Sequence, residues 1–184
     1  MVKKKKSSQF LRSCIFEALM ILLQQKRYEE ITVSEIANKA GVSRMTYYRT
    51  YSSKEDIVIQ HFKEKLQEIT EIDPAIGKKP RIEWYRVLLE FVYEDRMLIE
   101  KILETPELSK ASNSFLFETV QKLTRKYDHT DVDDPKTLYE LTYKTGSLTS
   151  LISRWVRNGC NESVDQILDW IRIYENDPCL TMHD

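Results

Sequence analysis

The densest chemistry in the sequence lies between Thr32 and Lys54, where Arg44, Met45, Thr46, Tyr47, Tyr48 and Arg49 follow Ser43 without a break. Two guanidinium groups, hydroxyls and phenols on one short segment are not a catalytic set. They are hydrogen-bonding groups of different reach, a mix that suits the major groove of DNA. Arg44 matches guanine O6 and N7, and Thr46 suits a base edge or a phosphate. Tyr48 and Lys54 suit phosphate oxygens, which position a protein without reading sequence. Reaction chemistry is thin elsewhere. His61, His129 and His183 stand apart, and no HExxH, GxSxG or Walker-type loop occurs. The expectation is a binding protein rather than an enzyme, with no cofactor and no metal.

For that cluster to work, two short helices must meet across a tight turn. Thr32-x-x-Glu35 is a capping-box pattern, in which the Thr32 hydroxyl accepts from the Glu35 amide while Glu35 reaches back. The helix it opens runs to about Lys39. Ala37 is small where the helices approach, Ile36 and Val42 pin the turn to a core, and Gly41 takes a positive φ without a Cβ penalty. Ser43 caps the second helix, which ends near Arg49 or Thr50. Ser52 to Asp56 starts another helix, with Glu55 and Asp56 at its positive end, running to about residue 70. Upstream, Phe10, Cys14, Ile15, Ala18, Leu19, Leu22 and Leu23 mark one face of a helix over about 8–25, capped by Ser7 or Ser8. The lysines Lys3 to Lys6 before it form a basic tail or a backbone-contacting arm.

Asp73-Pro74, Gly77 and Pro80 mark a boundary over 71–80. Beyond it the periodicity stays helical, over about 81–93, 96–103, 112–127, 135–157 and 162–174. Pro135 fits a first turn, and Asn158-Gly159 an ending. The fold expected is all-α with about nine helices. A helix-turn-helix unit suited to DNA occupies 1–53, helix 54–70 is a connector, and 71–184 is a second helical domain.

Charge supports the division. The net −1 of the chain hides +5 over residues 1–60 against −6 over the remainder. A positive head on a negative body points to a polyanion meeting the head. Cys14, Cys160 and Cys179 form no CxxC pair, no apolar h-region follows the basic start, and no apolar run nears the ~20 residues that span a bilayer. A cytoplasmic protein without membrane partners is expected.

The run from Ile31 through Ala37-Asn38-Lys39-Ala40-Gly41-Val42-Ser43 and Tyr47-Tyr48 to Ser53-Lys54-Glu55-Asp56-Ile57 resembles the signature of TetR-family regulators. That resemblance places Ser34 on a DNA-contacting supporting helix, Arg44, Met45, Thr46, Tyr48 and Arg49 on the recognition helix, and Lys54 at the DNA backbone. With Thr32, Ser43 and Tyr47 these make up the DNA-binding set. Met45 replaces a usual glycine, and Thr50-Tyr51 replaces an aromatic pair ending in Phe. The resemblance further implies a homodimer built on the last two helices, through Leu148, Leu151, Ile152 and Trp155 on one and Ile167, Leu168, Trp170, Ile171 and Tyr174 on the other. Two recognition helices would then lie about one DNA turn, ~34 Å, apart on a pseudo-palindromic operator. It implies a repressor released by a small-molecule effector, for which Trp84, Tyr85, Phe91, Tyr93, Phe115, Phe117, Tyr139 and Tyr143 are candidate pocket residues. An aromatic stripe at helical spacing serves a core equally well. The alternative is an adaptor whose body binds a protein partner.

Overall fold

The computed structural model describes residues 2–72, 80–128 and 130–175, with side chains at 2–8, 70–72, 128 and 175 excepted. The side chains of Lys3 to Lys6, and His129, Cys179 and His183 altogether, therefore lie outside the described residues. Nine α-helices occur among those described: α1 (Val2–Leu23), α2 (Val33–Lys39), α3 (Arg44–Thr50), α4 (Lys54–Ile72), α5 (Arg81–Glu94), α6 (Arg96–Glu104), α7 (Pro106–Leu123), α8 (Pro135–Arg157) and α9 (Val164–Glu175). A one-turn 3-10 helix, Tyr28–Glu30, precedes α2, and a π-helical turn, Thr124–Asp128, follows α7. There is no strand among the described residues. The all-α expectation holds.

Two helix starts differ from those expected. α1 begins at Val2, so Ser7 and Ser8 lie inside it rather than capping it. Lysine is a good helix former, and nothing in the first residues breaks the pattern. α7 begins at Pro106, not near Ser112. The fixed φ and missing N–H of Pro106 suit a first helical turn, where Glu107 also complements the dipole.

The chain forms two compact units, Met1–Glu68 with Glu104–Ser112, and Ile69–Leu103 with Asn113–Asp184. In the first, α1 packs on α2 and α2 on α3. Ile15, Leu19, Ile31, Ile36, Tyr47, Ile57, Val58 and Leu108 are buried there. Leu108, in the 104–112 part of this unit, is wholly enclosed. α1 and α4 are further joined by the Arg12–Glu64 ion pair and by Phe16 stacked on His61, ring centroids 4.1 Å apart. A cleft of about 310 Å³ opens along this pair of helices.

In the second unit α5 packs on α9 and α8. Arg86 on α5 meets Asp165 at 2.8 Å. Leu89, Val92, Leu98, Val132, Leu141, Trp155, Ile167 and Leu168 are buried. Asp134 caps α8 by accepting from the Thr137 amide at 2.9 Å, and that bond holds its carboxyl below the ordinary range. The helix ends with Gly159 and Cys160 at positive φ, 77° and 52°, while the Cys160 amide returns to the Trp155 carbonyl at 3.0 Å. No helix among the described residues is long and apolar enough to cross a membrane.

Candidate nucleic-acid interface

The turn between α2 and α3 is built almost wholly from local bonds. Thr32 and Glu35 form the complete capping box: the Glu35 amide donates to Thr32 Oγ1 at 3.3 Å, and the Thr32 amide donates to Glu35 Oε2 at 2.9 Å. Lys26 also donates to Glu35. These bonds, the Lys26 one largest, hold the Glu35 carboxyl down at about 2. After α2 the Ala40 amide returns to Ile36, the Gly41 amide to Asn38 and the Val42 amide to Ala37, all between 2.9 and 3.1 Å. Gly41 sits at φ 69°, the left-handed conformation this reversal requires.

α3 then starts at its Ser43 cap. Ser43 Oγ accepts from the Thr46 amide at 3.1 Å and lies 2.9 Å from Thr46 Oγ1. Tyr47 faces inward and is fully buried, its phenol donating to the Ser53 carbonyl at 3.0 Å. Burial pushes that phenol up to about 12. One inward tyrosine fixes the rotation of a seven-residue helix, so Ser43, Arg44, Met45, Tyr48 and Arg49 all face solvent. Met45 is 81% and Tyr48 63% exposed. Arg44 and Arg49 make no ion pair among the described residues.

Two residues assigned to DNA from the sequence are corrected by this geometry. Tyr47 is the core peg of α3 and presents no atom to a groove. Lys54 is turned inward: its ammonium donates to the Tyr28 carbonyl at 2.8 Å and the Ile31 carbonyl at 2.9 Å. It also lies 4.0 Å from the Tyr28 ring centroid. Lys54 ties the start of α4 to the 3-10 turn, beside the Tyr28–Glu55 hydrogen bond. The hydroxyls of Thr32, Ser43 and Thr46 are engaged in caps, and Ser34 on α2 is half-buried. Sequence reasoning passed over Asn38 and Lys39, which are exposed at the end of α2. The cue was available, because Lys39 is the basic residue in the last turn of the same short helix that Thr32 opens.

The dimer and pocket assignments also need correction. Ile152, Trp155, Ile167 and Ile171 are buried within their own unit. The Trp155 indole donates to the Glu162 carbonyl at 3.0 Å, and its ring lies near Tyr93. They are core residues, because α5 already covers that side of α8 and α9. Trp170 and Tyr174 remain exposed, with Ile173 beside them, while Leu148 and Leu151 are half-buried. Tyr139 and Tyr143 are 76% and 62% exposed and line no interior. Their one-turn spacing puts both on the outer face of α8. Trp84, Tyr85, Phe91 and Phe115 are half-buried.

Known proteins share both the local unit and the overall fold. Residues 15–60 match the family model described as bacterial regulatory proteins, tetR family. A fatty acid metabolism regulator protein of Bacillus subtilis (strain 168) is 39% identical over 57 residues, which is 31% of this chain and 29% of the relative's length. The solved structure of a dihydroxyacetone kinase operon activator, DhaS, superposes with a TM-score of 0.58 at 19% identity, covering 88% of this chain and 91% of the other. That of a fatty acid degradation regulator, FadR, from Bacillus halodurans superposes at 0.55 and 19% identity, covering 91% and 95%. These two show a shared all-helical fold. Residues 15–60 thus carry a helix-turn-helix of the tetR-family type, and the fold along most of the chain is similar to that of solved regulators.

Proposed function

We propose that the chain is a cytoplasmic, dimeric DNA-binding repressor of transcription, released from a pseudo-palindromic operator by a small-molecule effector held in its second unit. The observation that carries this reading is the outward set on α3. Arg44, Met45, Tyr48 and Arg49 face solvent on a helix whose remaining polar groups are bonded internally. A helix held that rigidly enters a groove without ordering cost at the moment of binding. Arg44 reads a base edge, Tyr48 and Arg49 engage phosphates, and Lys39 adds a second basic contact. The homodimer uses Trp170, Ile173 and Tyr174 on α9, where large apolar side chains stand uncovered.

The test is retardation of a DNA fragment from the gene's own upstream region by the purified full-length chain. Binding is expected with a mass corresponding to two chains, and affinity should fall steeply with salt as phosphate contacts are screened. Binding that appears only after a second protein is added overturns the effector-released repressor and leaves the adaptor. The exposed Tyr139 and Tyr143 favour that adaptor to this extent: they offer a protein surface where a pocket wall was expected.

A further inference from the structure

Every outward group on α3 but one is a hydrogen-bond former. The exception is Met45, in the first turn, with 81% of its surface in solvent. It shares a stripe with Arg49 one turn on and stands beside Arg44, so whatever those guanidinium groups approach, the thioether approaches too. No neighbour covers it, and its position leaves the packing of the head unaltered, since Tyr47 supplies the inward anchor. An unbranched, uncovered apolar side chain among donors gains most from an apolar group presented in an otherwise polar groove. The major groove offers one such group, the C5 methyl of thymine.

Resting on the DNA-binding reading above, we infer that Met45 is a specificity-determining residue that packs its thioether against a thymine methyl in each half-site. Arg44 reads its base through hydrogen bonds. Met45 reads its own by removing a methyl group from water, and its three rotatable bonds let it reach across the groove floor.

The experiment begins with selection of bound DNA from a random pool by the full-length protein, followed by affinity measurement on the selected duplex. Each thymine of a half-site is then replaced in turn by uracil, which keeps every hydrogen bond and lacks only the methyl. One thymine, at the same place in both half-sites, is expected to lose about fourfold in affinity per half-site on replacement, the size of one buried methyl contact. Met45→Gln, similar in length but polar, should bind thymine and uracil duplexes alike at that position. Met45→Leu should keep the preference. Thermal unfolding should match the parent, because the position is exposed. Indifference to uracil at every thymine, or an unchanged thymine-to-uracil ratio in Met45→Gln, overturns the Met45 assignment and leaves DNA binding standing. Failure of the parent protein to retain any duplex removes the DNA-binding reading and this assignment with it.

Discussion

The α2–α3 segment of the head and the α8–α9 pair of the body pose the same question, namely which residues face outward, and answer it by different means. In the head the answer is local. Caps at Thr32 and Ser43, three return amides and Gly41 act within three to five residues, and a single buried tyrosine settles the rotation of α3. In the body no short-range bond decides which side of α8 or α9 turns inward. That depends on α5, more than 40 residues away in sequence, arriving to cover Trp155 and Ile167. Polar chemistry with short reach marks a face in the sequence itself, whereas an apolar face takes its direction from whatever comes to lie on it.

The contrast is sharpest between the two body tryptophans. Trp155 is 2% exposed and Trp170 41%. Trp155→Ala should destabilise the second unit by about 3–5 kcal/mol, the usual cost of emptying an aromatic core site. Chemical denaturation followed by circular dichroism checks it. Trp170→Ala should leave the stability of the isolated chain within about 0.5 kcal/mol, as for other surface changes, while shifting a dimer toward single chains in sedimentation. Equal losses in both variants would erase the distinction between core and seam.

In the head the corresponding pair is Arg44 and Tyr48. Arg44→Ala should cost about 1–3 kcal/mol against the preferred sequence and relax the preference at one or two base pairs. Tyr48→Phe should weaken all duplexes alike by removing a phosphate hydrogen bond. Competition binding against point-changed operators separates the two. If Arg44→Ala keeps the parental preference, base reading lies elsewhere on α3.

A third prediction asks whether local encoding has the same strength in both units. Gly41 and Gly159 both lie at positive φ, and an added Cβ meets nothing within 4 Å at the first and only Asn161 Oδ1 at 3.8 Å at the second. Gly41→Ala and Gly159→Ala should therefore each cost about 1–2 kcal/mol, from backbone conformation alone. A much larger loss at one of them, measured by thermal unfolding, would mean that its turn carries tertiary strain as well.

The same division explains what could be read in advance. Helix number, the capping box, the Ser43 cap, the Gly41 turn and the Pro135 start are all short-range features, and the structure has them where the residues indicated. Lys54 was misread because its partners, the Tyr28 and Ile31 carbonyls, lie 26 and 23 residues back. Tyr47 and Tyr48 are neighbours of one type, and only the packing of the finished head distinguishes them. Tyr139 and Tyr143 resembled a pocket stripe because helical spacing states that two side chains share a face, not what that face meets. A proline is a local signal with two meanings, stop or first turn, and Pro106 opens α7.

The smallest effect expected concerns the capping box, and it has a defined direction with pH. The Glu35 carboxyl moves from an ordinary 4.5 to about 2 through bonds from Lys26 and Thr32. A carboxyl held down on folding adds stability that is complete above its unfolded value and fades as acid protonates it. The contribution of Glu35 should thus be whole above about pH 4.5 and disappear on descent toward pH 2. Other carboxylates titrate in the same interval, so the informative quantity is a difference. Glu35→Gln keeps a side chain able to serve the capping box but carries no charge. Below pH 2 the parent and the variant should be equally stable, and above pH 5 the parent should be ahead by a small, salt-sensitive margin, because the side chain is exposed and its ion pair is screened. Urea midpoints across that range measure the margin. A margin that is constant with pH would mean that Glu35 acts through shape and hydrogen bonding alone, and that the charge on the turn contributes nothing to holding α3 outward.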